Sequence, residues 1–423
     1  MTLKQTVLCA AVGAIVFAVH AVSPVTQSSD SRWAVPAMIS LVERGDLTLD
    51  EYTGLWTEDT LYGIECIGPG GEVRKPALAG CPELFHAYPR YPIATPVLSI
   101  PLFLAIDKFT PVLPGASPGL QLLQQRMYLQ SHRQLEILVA SATAALAAVL
   151  IFSLGGGGWQ GLLWALSFAF GTSLWSTASR AMWQHGLSVL LILAALWLLV
   201  DGRRYLLCAG VLLGLAIWNR PLNVIALVSI AIWLRRDAVR LLAGAAIASI
   251  PFVLWCVTVY RMPLQPYFLQ GNRFVWDASR FGGVLLGQLF SPGRGLLVYS
   301  PFLAVGIVGM WRLWRKERWL AVALALWIGG HTLVICLFND WAGGFGYGPR
   351  YWTDLLPAAV MLMRGEWPLR RWMIPLVLWA VLVHGRGAID PRTQRWNQRW
   401  VSGQTSVWDW GGAPFLGGIT WRD

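Results

Sequence analysis

The sequence predicts an all-α membrane protein, a polytopic bundle of about 11–13 transmembrane helices with a long first outer loop and interfacial helices. Three observations predict it. Hydrophobic residues make up 56% of the 423 positions and charged residues only 13%, about half the charged share of a soluble domain. The remaining positions form apolar runs of roughly 15–22 residues, enough to cross or nearly cross a hydrocarbon core about 30 Å thick. There are 25 tryptophans. Many end the apolar runs, as Trp175, Trp183, Trp218, Trp233, Trp311 and Trp341 do, where an amphipathic indole anchors in the head-group layer.

The first run, about Thr6 to Val22, follows Lys4 and has the look of a signal peptide. Its length, and the further spans behind it, predict a retained anchor. Candidate spans then follow at 93–107, 134–154, 160–178, 183–200, 205–219, 222–234, 238–260, 295–311, 319–338, 351–363 and 372–386. Short basic turns face the cytoplasm. Arg203-Arg204, Arg235-Arg236, Arg312 to Arg318 and Arg364 to Arg371 are separated by pairs of spans and so share that side with Lys4. This parity makes 24–92 the first extracytoplasmic loop and 387–423 an extracytoplasmic tail of one membrane-embedded domain, 1–423, in the cytoplasmic (inner) membrane. It also brings the turn from Arg180 to His185, the turn at Asn219-Arg220-Pro221 and the loop from Asn339 to Arg350 to the outer face, with all six histidines. One stretch breaks the count. With Pro92, Pro96, Pro101 and Pro111, 93–107 is either re-entrant or pairs with a weakly apolar return through about 111–130.

Cys9, Cys208, Cys256 and Cys336 fall in apolar spans and are expected to be packing residues, whereas Cys66 and Cys81 lie in the first outer loop. A bridge between the latter pair would stabilise that loop by about 3 kcal/mol in the chain-entropy model, in a compartment that permits oxidation. No Cys/His pair has zinc-ligand spacing.

The net charge of +11 comes from 33 arginines and lysines, all but four of them arginine. Planar guanidinium groups suit a phosphate-bearing ligand, and a GC-rich coding sequence gives the same bias. No basic tail or soluble basic domain is present to hold nucleic acid.

Asp30 is the leading catalytic candidate. It stands in Ser28-Ser29-Asp30-Ser31-Arg32-Trp33, just past the first span, and an ionisable group at the membrane boundary tends to be functional. The alternative is an N-cap for the amphipathic stretch Trp33 to Val42, expected to lie along the interface. Arg350, Arg294, Arg180, Arg90 and Arg220 are candidate phosphate ligands; Arg32, His185, Tyr299, Asp340, Tyr351 and Asp354 are further site candidates. Each alone has an ordinary explanation, as a snorkelling arginine or a helix cap. The glycine-rich run before Arg350 lacks the Lys and Ser/Thr of a P-loop. Jointly, a carboxylate to deprotonate a hydroxyl and arginines to hold a leaving phosphate suit glycosyl transfer from a lipid phosphate.

The chain resembles the GT-C class of polytopic membrane glycosyltransferases, and is most similar to the branch of protein O-mannosyltransferases and the aminoarabinose transferase of lipid A. The resemblance rests on the order of Asp30, Tyr91-Pro92, the Arg180 turn, Gly214-Leu215-Ala216 ending in Asn219-Arg220-Pro221, Gly348-Pro349-Arg350-Tyr351, and Trp408-Asp409-Trp410. It implies Asp30 as general base and a polyprenyl-phosphate sugar as donor, with an acceptor hydroxyl on a glycan, lipid or protein. The paired acids common in the family's first loop are absent. A lipid-monophosphate donor neutralised by arginines therefore fits better than a divalent metal, and no cofactor is expected. The large soluble C-terminal domain of some members is also absent, so acceptor recognition falls to the loops or a partner. A lipid or solute transporter, which needs charges near the midplane, and a non-catalytic partner subunit of a cell-envelope assembly enzyme are the alternatives.

Overall fold

The computed structural model describes residues 2–27, 30–109, 129–200, 204–269, 274–364 and 371–421. The turn at 201–203, the segment 365–370 and most of the return expected through 111–130 lie outside the described residues. The fold is 71% helix and 4% strand. Among the described residues, five segments are long and apolar enough to cross a membrane: Leu3–Val22, His132–Leu154, Pro221–Tyr260, Arg318–Leu337 and Arg371–Ile389. The pair Ser173–Arg180 and Gln184–Val200, bent by 118°, is a broken span or a re-entrant loop. Several long apolar helices of this kind make the chain a multi-pass membrane protein.

Helix α1 (Leu3–Val22) starts with a capping box in which Thr2 and Gln5 each bond the other's backbone N–H. It packs on α4 (Leu129–Leu154). The alanine run of α4, with Ala144, Ala147 and Ala148 fully buried, lets α1, α5 (Gly158–Phe170) and α7 (Gln184–Val200) close around it. The tightest crossing joins α8 (Leu206–Asn219) to α10 (Ala238–Tyr260). Gly210 meets the Leu241 carbonyl and Gly244 meets the Leu207 carbonyl, while a Cβ at Gly214 would stand 2.6 Å from the Ala245 oxygen. Small residues of this kind let helices approach where lipid supplies no hydrophobic drive.

The described parts of the basic turns at Arg235 and at Lys316 to Arg318 gather at one end of the bundle, with Arg364 beside them. Arg235 lies 5.0 Å over the Trp319 ring, Arg364 senses the charge of Glu317, and Gly157 abuts the Gln5 amide of α1. The candidate site residues stand at the opposite end.

Several expected elements differ. The span expected at 295–311 is broken into α12 (Leu296–Tyr299), a 3-10 turn at Pro301–Val305 and α13 (Gly306–Lys316). Pro301 lacks the N–H that would continue a helix, and Ser300 sends its hydroxyl to the Gly171 carbonyl at 2.7 Å. The span expected at 160–178 stops at Gly171 and resumes as α6 (Ser173–Ser176). The span expected at 351–363 is a 3-10 turn, Arg350–Leu355, followed by α15 (Leu356–Met363). Cys208 is exposed on α8, whereas Cys256 and Cys336 are buried.

The first loop is a small folded unit. Helix α2 (Ala34–Arg44) buries every residue from Ala34 to Ser40 against α3 (Ala94–Phe109) and α4. Its apolar side is covered by its own neighbours. Strands β1 (Ile64–Ile67), β2 (Val73–Arg74) and β3 (His86–Pro89) form an antiparallel sheet in the order β2-β1-β3, which the all-α expectation omits. All four β1 residues are buried, so no alternation marks the strand. Cys66 of β1 is bonded to Cys81. Trp33, Leu49, Tyr52 and Trp56 of this unit share one core with Trp218 of α8 and Phe252, Cys256 and Tyr260 of α10.

The α8–α10 crossing predicts that Gly210→Val forces the two backbones apart. Overpacking of this kind destabilises by about 1–3 kcal/mol. A lowered midpoint of thermal unfolding in detergent is the expected outcome, with Gly282→Val, where a Cβ meets nothing within 4 Å, as the neutral control.

Candidate functional site

Past α1 the chain runs as a strap from Ser23 to Gln27, three residues before Asp30. The last carbonyls of a helix lack their full set of helical partners, and at the end of α1 Arg180 bonds two of the oxygens there. Its Nη1 donates to Ser23 O at 2.6 Å and its Nη2 to His20 O. Trp175 Nε1 donates to Ser23 Oγ at 3.0 Å. Farther along, Val25 N donates to Ala388 O at 3.2 Å, Gln27 N to Arg180 O at 3.0 Å, and Gln27 Nε2 to Ser176 O at 3.0 Å. Arg180 is 0% exposed. It is an architectural anchor and not a phosphate ligand, because its guanidinium is turned onto backbone oxygens.

Asp30 meets Arg350 from the far end of the sequence. Arg350 Nη2 donates to Asp30 Oδ2 at 2.6 Å, Nε to His185 Nε2 at 3.2 Å and Nη1 to Gly343 O at 3.3 Å. The guanidinium lies 4.0 Å from the centre of the Trp183 ring, a favourable cation–π geometry. Arginine has no acceptor, so Nε2 of His185 accepts and the ring proton sits on Nδ1. That proton goes to Asp354 Oδ1 at 2.9 Å. Asp354 Oδ2 in turn accepts from Arg220 Nε at 2.5 Å, and Arg220 lies 5.8 Å over the Tyr351 ring. The result is a chain of alternating charge, Asp30–Arg350–His185–Asp354–Arg220, closed by a neutral imidazole. Its inner members, His185 and Asp354, are 1% and 0% exposed at the side chain, while Asp30 is 24% exposed. Asp30 is thus the carboxylate of this chain that a ligand can reach.

A glycine loop delivers Arg350. Gly343, Gly344 and Gly348 have φ of 80°, 55° and 58°, a conformation that glycine adopts freely. Arg294 holds the loop from behind, donating to Gly346 O at 2.5 Å, Gly344 O at 2.9 Å and Asn397 Oδ1 at 2.8 Å, and it stacks on Trp396 at 4.7 Å. Burial pushes its guanidinium down to about 10. Arg294 is therefore a clamp on the loop, not a phosphate ligand as expected, for the same reason as Arg180. Tyr299 also lies outside the Asp30 chain. Its hydroxyl donates to Pro292 O at 3.0 Å and Gly293 O at 3.2 Å, and its ring packs with Tyr347, His384 and Phe415.

Asp340 accepts from Gly344 N at 3.2 Å and lies within electrostatic range of Arg294, Arg350 and Asp30. Burial pushes its carboxyl up, against the pull of that N–H and the two arginines. Asp340 thus adds a second carboxylate, far from Asp30 in sequence, within electrostatic range of Arg350. Arg32 faces Arg133, Asp59 and Glu136, a cluster separate from the Asp30 pair. Arg90 stands toward Glu65 at 3.6 Å and over the Tyr62 ring at 5.3 Å. Sequence reasoning missed Tyr62 and Tyr267. Their rings lie 6.1 Å and 5.2 Å from Tyr91, whose phenol is pushed up by burial and then by the charge of Asp30. Aromatic residues in polar loops were the available signal. Among the described residues, no three His, Cys, Asp or Glu side chains converge as a metal would require.

Comparison of the chain with protein-family models, curated proteins and solved structures finds no match.

The anchoring role of Arg180 has a measurable consequence. Arg180→Ala removes the guanidinium from the Ser23 carbonyl and from the His20 carbonyl, which keeps the Ser23 N–H, and is expected to destabilise by about 1–3 kcal/mol. The measurement is the unfolding midpoint by circular dichroism in detergent. An unchanged midpoint contradicts the anchor.

Proposed function

We propose that the chain is a GT-C-type glycosyltransferase of about 11–13 transmembrane helices that transfers a sugar from a polyprenyl-phosphate donor to an acceptor hydroxyl. The reaction takes place at the outer face of the cytoplasmic membrane and inverts the anomeric centre. The observation that carries the reading is the ion pair between Asp30 and Arg350, 2.6 Å long. It joins the first acid after the first span to the late glycine loop, the two places where this chemistry needs a base and a phosphate ligand.

In this reading the donor phosphate competes with Asp30 for the guanidinium of Arg350, and Asp30 turns to the acceptor. The acceptor hydroxyl oxygen attacks C1 of the sugar from the face opposite the phosphate. The C1–O bond to phosphate breaks, its electron pair stays on the leaving polyprenyl phosphate, and the hydroxyl proton passes to Asp30. Arg350 meets the charge that develops on the phosphate. Arg220, 12% exposed at the side chain, adds positive potential, and Arg90 lies at the rim. With Arg180 and Arg294 committed to backbone oxygens, the phosphate ligands reduce to these three, and arginine charge takes the place of a divalent metal. Tyr351 walls the site beside Arg220. The acceptor approaches over the first-loop unit. The charges stand at helix ends, which favours transfer over transport, since a transporter site sits at the midplane.

Transfer of labelled sugar from a polyprenyl-phosphate donor by purified protein tests this reading. Asp30→Asn is expected to lower turnover 10²–10⁴-fold without weakening donor binding, since it removes the carboxylate that competes for Arg350. Arg350→Ala is expected to lower both, with donor binding weakened by about 1.5–3 kcal/mol. Melting curves confirm that each variant folds. Full turnover in Asp30→Asn would sink the mechanism.

Sidedness is tested separately by thiol labelling in sealed vesicles. A cysteine at Gln404, exposed in the tail, is expected to react from the outside, and one at Lys316, on the opposite end, only from the cytoplasmic side. The reverse pattern overturns the outer location.

A further inference from the structure

Apart from the Asp30 chain, a groove of about 590 Å³ opens along the last turns of α16 (Ile374–Ile389), and it shares no lining residue with that chain. Leu382 and Ile389, 61% and 53% exposed, form its apolar wall. Trp175 forms the floor, held by its bond to Ser23. Gly385 keeps the floor open, since a Cβ there would stand 3.1 Å from the Trp175 ring. The groove ends in charge. Asp390 accepts from Arg386 at 2.8 Å and from Arg392 at 2.6 Å.

Two guanidinium groups against one carboxylate leave this end positive. Arg386 is also fastened to the tail, donating to Phe415 O at 3.3 Å and Gly417 O at 2.5 Å. Arg392, 52% exposed at the side chain, is the group that presents the charge outward. Asp390 is held down at about 2 by its bonds from Arg392, so the cluster keeps its net charge at neutral pH.

The long apolar side of the groove lies on a helix apolar enough to span the membrane, and its positive end stands at the level where that helix meets water. A soluble anion would leave the apolar wall uncovered, and a neutral lipid would leave the charge unmet. We infer that this groove binds one anionic, phosphate-headed membrane lipid, its head on Arg392 and its chain along Leu382 and Ile389. The inference does not depend on the transferase reading.

Native mass spectrometry of the full chain in detergent, titrated with phosphatidylglycerol, tests it. The wild-type chain is expected to hold one lipid more tightly than the rest. Phosphatidylcholine is expected to bind that site at least about tenfold more weakly, and glycerol 3-phosphate not to displace the lipid, as a site needing both head charge and chain requires. Arg392→Glu inverts the head charge and Ile389→Trp fills the wall. Both positions are exposed, melting curves establish folding, and each variant is expected to lose about tenfold in affinity. Wild-type affinity in either folded variant overturns the inference, as does equal binding of phosphatidylcholine or displacement by glycerol 3-phosphate.

Discussion

Arg180 carries its charge into the interior and uses it on two backbone oxygens at the end of α1, those of His20 and Ser23. In an apolar bundle those oxygens cannot turn to water, and an unsatisfied carbonyl there is costly. The guanidinium resolves this by bonding His20 O and Ser23 O at once. In doing so it fixes the direction in which the chain leaves the first helix. The strap then runs along Ala388, Ser176 and the Arg180 carbonyl as far as Gln27, three residues before Asp30. The buried arginine that resembled a phosphate ligand is what places the carboxylate.

A second buried arginine works in the same way on the other side of the site. Arg294 holds two carbonyls of the glycine loop and the Asn397 amide, and the loop carries Arg350. Asp30 and Arg350 are therefore each positioned by a guanidinium they do not touch. The remaining order comes from Asp354, whose two oxygens are taken by His185 and Arg220. Pairing at both oxygens is what allows a carboxylate at 0% exposure to stay charged. Because His185 gives its proton to Asp354, its other nitrogen is free to accept from Arg350, and the guanidinium is turned toward Asp30.

The first-loop unit shows how the membrane helices and the aqueous part form one structure. Its sheet is too small to stand alone. It is stabilised by the Cys66–Cys81 bond and by a core shared with Trp218, Phe252 and Tyr260 at the ends of α8 and α10. Gln265 adds a polar tie, its Nε2 donating to the carbonyls of Pro89, Arg90 and Tyr91. The Tyr62, Tyr91 and Tyr267 rings are thereby held together beside Asp30, two from the first loop and one from the central loop.

Composition, the length of the apolar runs and the spacing of basic turns determined by themselves that this is a helical, multi-pass membrane protein, because the cost of burying charge in lipid is written into every span. The residues Asp30, His185, Arg220, Arg350 and Asp354 were also legible, since polar groups at span ends stand out against an apolar background. Their partnerships were not. Arg180, Arg294 and Arg350 look alike in sequence, and which of them faces backbone and which faces a carboxylate depends on contacts between residues 50 to 320 positions apart. The broken span after Pro301 and the fully buried strand β1 escaped notice for a related reason. A short apolar run reads the same whether it continues as a helix, stops at a side-chain bond, or pairs as a strand. Tertiary structure decided each case, because the competing hydrogen bonds and packing surfaces come from elsewhere in the chain.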